Sequence, residues 1–84
     1  MLVGQLKNGA PAVAGIKQTQ KAIMRSQVAG VLLAGDADEH VTAPIRSLCE
    51  ARGIPVETVE TMQELGKACG IHVGAAVAAV LSSR

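Results

Sequence analysis

The sequence predicts an α/β fold: a three-layer α/β/α sandwich around a sheet of mainly parallel character. Three observations carry this. Short apolar runs alternate with amphipathic stretches along the whole chain, the pattern of strands separated by helices. The run Val31-Leu32-Leu33-Ala34, bounded by Gly30 and Gly35, is continuously apolar rather than alternating, as in a strand covered on both faces. The 84 residues contain no internal repeat, low-complexity segment or linker, so residues 1–84 are expected to form one domain.

The elements can be justified in order. Met1–Lys7 reads as a short first helix closed by Asn8-Gly9, and Ala12–Ala14 as a short strand. Ile16–Arg25 reads as a helix, with Ile16, Thr19 and Ile23 on one side and Lys17, Lys21 and Arg25 on another. Gly30–Gly35 holds the continuous strand. Thr42–Arg52 is the clearest helix, with Pro44 in its first turn, where a missing N–H costs nothing, and Gly53 as its stop. Val41, Ile45, Leu48 and Cys49 form its apolar stripe. Pro55–Val59 follows as a strand. Thr61-Met62-Gln63-Glu64 is a capping box that opens a helix running to about Cys69 and stopping at Gly70. Ile71–Ala75 is a loop and Ala76–Leu81 the last strand.

Composition narrows the function. Hydrophobic residues make up 49 % of the chain, yet Phe, Trp and Tyr are absent, so the core must be built from Val, Ile, Leu, Met and Ala. Binding through an aromatic stacking platform is excluded. No window reaches 18 consecutive apolar residues, and no basic segment followed by a long apolar run opens the chain, so neither a membrane span nor a signal peptide is expected. A cytoplasmic monomer is the resulting expectation. Cys49 and Cys69 lack CxxC spacing and read as reduced, mostly buried thiols. Net charge is only +1, but its distribution is uneven. Residues 1–27 carry Lys7, Lys17, Lys21 and Arg25 and no acid, whereas residues 28–65 carry every one of the 7 acids against Arg46 and Arg52. One basic end can face a polyanion in a nearly neutral protein.

Little points to catalysis. His40 and His72 have no partner at catalytic or metal-ligand spacing, and the glycine-rich and serine motifs of nucleotide-binding and hydrolytic enzymes are missing. Asp36, Asp38 and Glu39 follow the continuous strand. Acids there are best read as a solvated turn opening the next helix, where the helix dipole favours negative charge, over a metal or carboxylate site. No catalytic residue, metal or cofactor is expected.

Two segments speak for binding. In Gly15-Ile16-Lys17-Gln18-Thr19-Gln20-Lys21 a glycine directly precedes a helix, whose first N–H groups and positive dipole end suit a phosphate. Lys17, Lys21 and Arg25 succeed one another at i+4 with Gln18 beside them, offering cations to phosphates and polar heads to base edges. A lysine stripe is equally a common solvated surface, so the pattern alone leaves both readings open. The second segment, Leu65–Ala76, holds three glycines and a loop tipped by Ile71 and Val73. These residue types favour burial in the core over an exposed tip.

Taken together, Gly15–Lys21 and Leu65–Ala76 resemble the kink-turn-binding ribosomal proteins, the family called L-seven-Ae in its archaeal form, and most closely its small bacterial members. The resemblance runs from about Val13 to Leu81. Its most specific part is Leu-Gly-Lys-Ala-Cys-Gly-Ile at 65–71, followed by Val-Gly-Ala-Ala at 73–76. It implies a sandwich with a four-stranded mixed sheet and a non-enzymatic clamp on kink-turn RNA, in ribosomal RNA or a riboswitch, with the ribosome as a further partner. By matching position, Gly15, Ile16, Lys17, Gln18, Lys21 and Arg25 would meet the guanines of the sheared G·A pairs and flanking phosphates. Lys67 would reach a phosphate or ribose, and Ile71, His72, Val73, Gly74 and Ala75 would pack on the bulged bases.

This chain departs from that pattern at four positions. Ile16 stands where many relatives have Thr, Gln18 where archaeal members have Glu, Ser26 where Gly often follows the helix, and His72 where Glu is usual. The last change removes a negative charge beside the RNA and adds an imidazole, which is best read as a spectator surface histidine, over one that tightens binding slightly at low pH. A rival class is a protein-interaction module that has lost RNA binding and meets a basic partner through the acidic half Asp36–Glu64. The retained Lys17, Gln18, Lys21 and Lys67 argue against it. A small metal-dependent enzyme built on Asp36 and Asp38 is weaker still, since no further ligand has motif spacing.

Overall fold

The computed structural model describes residues 2–82, so Met1, assigned to the first helix above, lies outside the described residues. The elements follow as α1 (Leu2–Lys7), β1 (Ala12–Ala14), α2 (Ile16–Met24), β2 (Val28–Ala34), α3 (Glu39–Arg52), β3 (Val56–Val59), α4 (Met62–Ala68) and β4 (Val77–Leu81). The strands form one sheet in the order β1-β4-β2-β3. Only β2 and β3 run parallel; β4 is antiparallel to both β1 and β2. The sheet is therefore mixed and mainly antiparallel, which corrects the parallel character read from alternation. Alternation fixes the order of elements but not the direction in which the last strand enters, and β4 enters between β1 and β2.

Both faces of the sheet are covered. Leu2 and Leu6 of α1 and Leu65 of α4 pack on Leu32, Ala34, Ala78 and Val80. On the other face Ile23 of α2 and Ile45 and Cys49 of α3 pack on Val31, Leu33, Val77 and Ala79. Successive strand residues point to opposite faces, so covering both demands the unbroken apolar runs of β2 and β4. The strand at Gly30–Gly35 extends back to Val28 through an irregularity between Val28 and Gly30.

α3 begins a turn earlier than its apolar stripe suggested. The Asp38 carboxylate accepts from the His40 N–H at 2.8 Å and caps the helix, which starts at Glu39. Pro44 consequently lies inside the helix rather than in its first turn. α3 stops as expected at Gly53, which takes the left-handed conformation at φ 67°. At α4 the hydroxyl half of the capping box is in place: Thr61 Oγ1 accepts from the Glu64 N–H at 3.0 Å. The amino end of α1 is tied to the far sheet edge by the Leu2 N–H, which donates to Glu57 Oε2 at 2.9 Å.

Among the described residues no helix is long and apolar enough to cross a membrane. Cys49 is buried and Cys69 half-buried, and both are free thiols. Burial pushes both thiols up from their ordinary value, because a thiolate would be poorly solvated there.

Candidate nucleic-acid interface

The strand pairings place four chain ends on one edge of the sheet. Ala14 at the end of β1 pairs with Ala78, Leu33 near the end of β2 with Val77, and Ala34 with Val59 at the end of β3. The exits of β1, β2 and β3 and the entry of β4 thus share an edge. The start of α2, the turn after β2, the start of α4 and the loop before β4 all converge there.

α2 starts from Gly15, whose backbone at φ 99°, ψ 158° lies in a region essentially confined to glycine. This sharp entry lets the Gly15 N–H donate to the Val77 carbonyl at 2.9 Å, fastening the helix start to the first residue of β4. No side chain caps the helix. Its first-turn N–H groups have no intrahelical acceptor and lie at the positive end of the dipole. Ile16, Lys17, Gln18, Lys21 and Arg25 are all exposed, while Thr19, Ala22 and Ile23 turn inward. Ile16, on the same side of the helix as Thr19 and Ile23 by its spacing, is 42 % exposed where they are buried. α2 is roughly 13 Å long at 1.5 Å per residue, so Arg25, its C-terminal cap, stands far from the shared edge. Ser26 follows with φ 55°, a left-handed turn taken without the glycine usual at this point.

The loop before β4 corrects the expectation of burial. Val73 is 71 % and Ile71 37 % exposed, and His72 and Gly74 are also exposed. Ala75 turns the other way, its side chain buried in the core against α4, so only its backbone lies at the edge. The loop runs back along α4. The Ile71 N–H donates to the Gly66 carbonyl at 3.0 Å, and the Ala75 N–H to the Met62 carbonyl at 3.0 Å. A side chain at position 66 would collide with the Val73 carbonyl, so the close approach requires glycine there. Met62 is itself partly exposed and adds to the apolar tip.

Lys67 is exposed in the last turn of α4. It lines a groove of about 1080 Å³ with Leu6, Lys7, Glu60, Glu64 and Cys69, on the side of the sheet covered by α1 and α4. The fold thus brings Gly15–Gln18 and the Ala75 end of the loop to one edge, with Lys21 a turn further along α2 and Arg25 at the far end of that helix, while Lys67 stands in the last turn of α4 next to the Gly66 carbonyl that holds Ile71.

Sequence reasoning missed one member of this edge. The sequence places Asp36 in the turn opening α3, but its Oδ1 accepts from the Met62 N–H at 2.8 Å, at the start of α4. The two residues are 26 positions apart, and no local pattern announces the bond. Among the described residues no group of three or more His, Cys, Asp or Glu side chains is gathered to hold a metal ion.

An uncapped cationic helix start beside an exposed aliphatic loop, on one edge of a mixed sheet covered on both faces, defines a small α/β binding protein. The chain belongs to the ribosomal protein L7Ae/L30e/S12e/Gadd45 family, which it matches over residues 2–84. It is 52 % identical over 67 residues to an RNA-binding protein of Caldanaerobacter subterraneus, covering 80 % of this chain and 82 % of the relative. It is 44 % identical over 69 residues to an RNA-binding protein of Bacillus pumilus, covering 82 % and 84 %. Among solved structures it is similar to a 15.5kD RNA binding protein of Giardia lamblia, with a TM-score of 0.85 and 27 % identity, covering 96 % of this chain and 71 % of that one.

Proposed function

We propose that this protein is an RNA-binding clamp that recognises kink-turns in structured RNA, in ribosomal RNA or a riboswitch, and stabilises their bent state without catalysis. The observation that carries the reading is the fastening of the Gly15 N–H to the Val77 carbonyl at 2.9 Å, which sets a cationic, uncapped helix start beside the loop whose residues Ile71–Gly74 are exposed. Relatives named as RNA-binding proteins support the first half of the reading.

The chemistry follows from the two surfaces. The major groove of regular A-form RNA is too narrow for side chains to read, and a kink opens it. The first turn of α2 enters there. Its N–H groups and Lys21 neutralise phosphate, while Lys17 and Gln18 reach base edges, lysine serving the guanine acceptors. Ile71 and Val73 cover bases unstacked by the bulge, an aliphatic contact in a chain without aromatic residues. Binding only the bent form shifts the RNA toward it.

The test is a titration against a kink-turn RNA labelled on both arms, with an unbulged duplex as control. Tight binding with increased arm-to-arm energy transfer for the kink-turn alone is the expected result. Equal binding to both RNAs, or none, refutes the reading.

A further inference from the structure

The loop Ile71–Ala75, exposed up to Gly74, has no regular structure of its own, so something else must fix where Ile71 and Val73 point. Among the described residues its backbone hydrogen bonds lead to α4. Ile71 bonds the Gly66 carbonyl, Val73 lies against Gly66, Gly74 approaches the Met62 side chain, and the Ala75 N–H bonds the Met62 carbonyl. Met62 is the first residue of α4, and its own N–H is held by the Asp36 carboxylate. The chain entering the turn that carries Asp36 is itself held on both sides, by the end of β3 and by the residue before β4. The Gly35 N–H donates to the Val59 carbonyl at 2.6 Å, and the Ala34 N–H to the Ala76 carbonyl at 2.9 Å.

We propose that Asp36 is the positioning residue for the apolar loop, acting through Met62 to hold Ile71 and Val73 in the orientation that RNA requires. The inference rests on the kink-turn reading above and adds to it a residue outside the surface that touches RNA. A carboxylate is well suited to the bond. It accepts more strongly than a neutral group, and it faces the positive end of α4. Placed at the edge where a polyanion docks, its charge alone would oppose binding, so what it contributes is the hydrogen bond. Without that bond the loop samples more orientations in the free protein and must be ordered when RNA arrives, at an entropic cost. α2 is fastened separately through Gly15, so its contacts with phosphate are untouched.

Two variants separate bond from charge. Asp36→Ala removes both, whereas Asp36→Asn keeps an oxygen that can accept from the Met62 N–H and loses the charge. Ordering two apolar side chains anew predicts that Asp36→Ala binds the kink-turn roughly tenfold more weakly, through faster dissociation. Its affinity for plain duplex at low salt does not fall, since the variant also removes a charge that opposes a polyanion. Asp36→Asn binds within about twofold of the parent. In the free protein, amide hydrogen exchange at Ala75 and Ile71 quickens in Asp36→Ala, while the amides of β2 and β4 keep their protection. Unaltered kink-turn affinity in Asp36→Ala overturns the proposal. So does an Asp36→Asn protein as weak as Asp36→Ala, or unaltered exchange at Ala75. Should the parent protein fail to prefer kink-turns, the functional reading falls, but the exchange experiment still decides whether Asp36 holds the loop.

Discussion

The hinge of the candidate interface is a single backbone conformation, and glycine substitutions test it directly. Gly15→Ala places a Cβ in open space, since nothing lies within 4 Å of the position it would take. Steric collision with neighbours therefore contributes nothing, and the whole effect comes from holding alanine at φ 99°, ψ 158°. Such a conformation costs a non-glycine residue about 1–3 kcal/mol. If the chain relaxes instead, it gives up the bond from Gly15 to Val77, worth about 1 kcal/mol. Either route lowers stability by at least about 1 kcal/mol, and with a urea slope of about 1 kcal/mol/M the midpoint falls by about 1 M or more. Gly4→Ala is the matched control. Gly4 lies within α1 at negative φ, also with open space around it, so alanine there should stabilise by about 0.5–1 kcal/mol through helix propensity. The same substitution thus has opposite signs at two positions. Far-UV circular dichroism is the proper probe, because a chain without Trp or Tyr has no useful intrinsic fluorescence. A Gly15→Ala midpoint equal to the parent's, or two shifts of the same sign, would refute the reasoning.

Other expectations test the interface and the core. Lys17→Ala and Gln18→Ala should each weaken kink-turn binding by about 1–3 kcal/mol, while Lys21→Ala should cost less and reduce the slope of log K against log salt by about one. Indifference to both Lys17→Ala and Gln18→Ala would rule out the proposed surface. Thr19 is fully buried with its hydroxyl unpartnered, so Thr19→Val should raise stability by about 1–2 kcal/mol, and a lower urea midpoint would contradict the account of that hydroxyl. Ser26→Gly relieves a left-handed serine at the end of α2 and should stabilise by about 1 kcal/mol, read by the same unfolding experiment. Cys49 gives a pH signature: its folded thiol holds its proton above the ordinary value of 9.0, so stability is full below about pH 9 and falls as pH rises beyond it. The urea midpoint of the parent should therefore drop more steeply between pH 8 and 10 than that of Cys49→Ala, and parallel curves would exclude the thiol as the cause.

How legible this protein is from its sequence depends on the range of the interaction concerned. Signals carried by neighbours in the chain are faithful. The Gly53 stop, the Thr61 cap and the double-sided burial of Val31–Ala34 are each written in a few adjacent residues, and each is found in the structure. Where two local signals compete, the pattern misleads. The stripe Val41, Ile45, Leu48, Cys49 and the proline at 44 both suggested a start near Thr42, yet the cap at Asp38 lies outside the stripe and prevails. Strand direction is not local at all. The insertion of β4 between β1 and β2 becomes known only when the sheet is assembled, so a parallel sheet could not be distinguished from a mixed one by alternation.

The candidate site divides along the same line. Exposed cations on one face of α2 follow from their i+4 spacing, which is a local property. Whether Ile71 and Val73 are core or surface is not local, because a loop packed on α4 can turn either way. What decides it is the contact between Gly66 and Val73, which draws the loop's backbone onto α4 and leaves both side chains outside, while Ala75 turns in to fill the core. A glycine at 66 is visible in the sequence, but its partner is not. Asp36 is the extreme case: in the turn after β2 it accepts from the N–H of Met62 at the start of α4, the two brought together by the parallel pairing of β2 with β3. Local chemistry therefore supplies the groups that would touch RNA, and the sheet supplies their arrangement. A variant that leaves every cation of α2 in place but disturbs the sheet edge should lose discrimination between bent and straight RNA while keeping its affinity for phosphate.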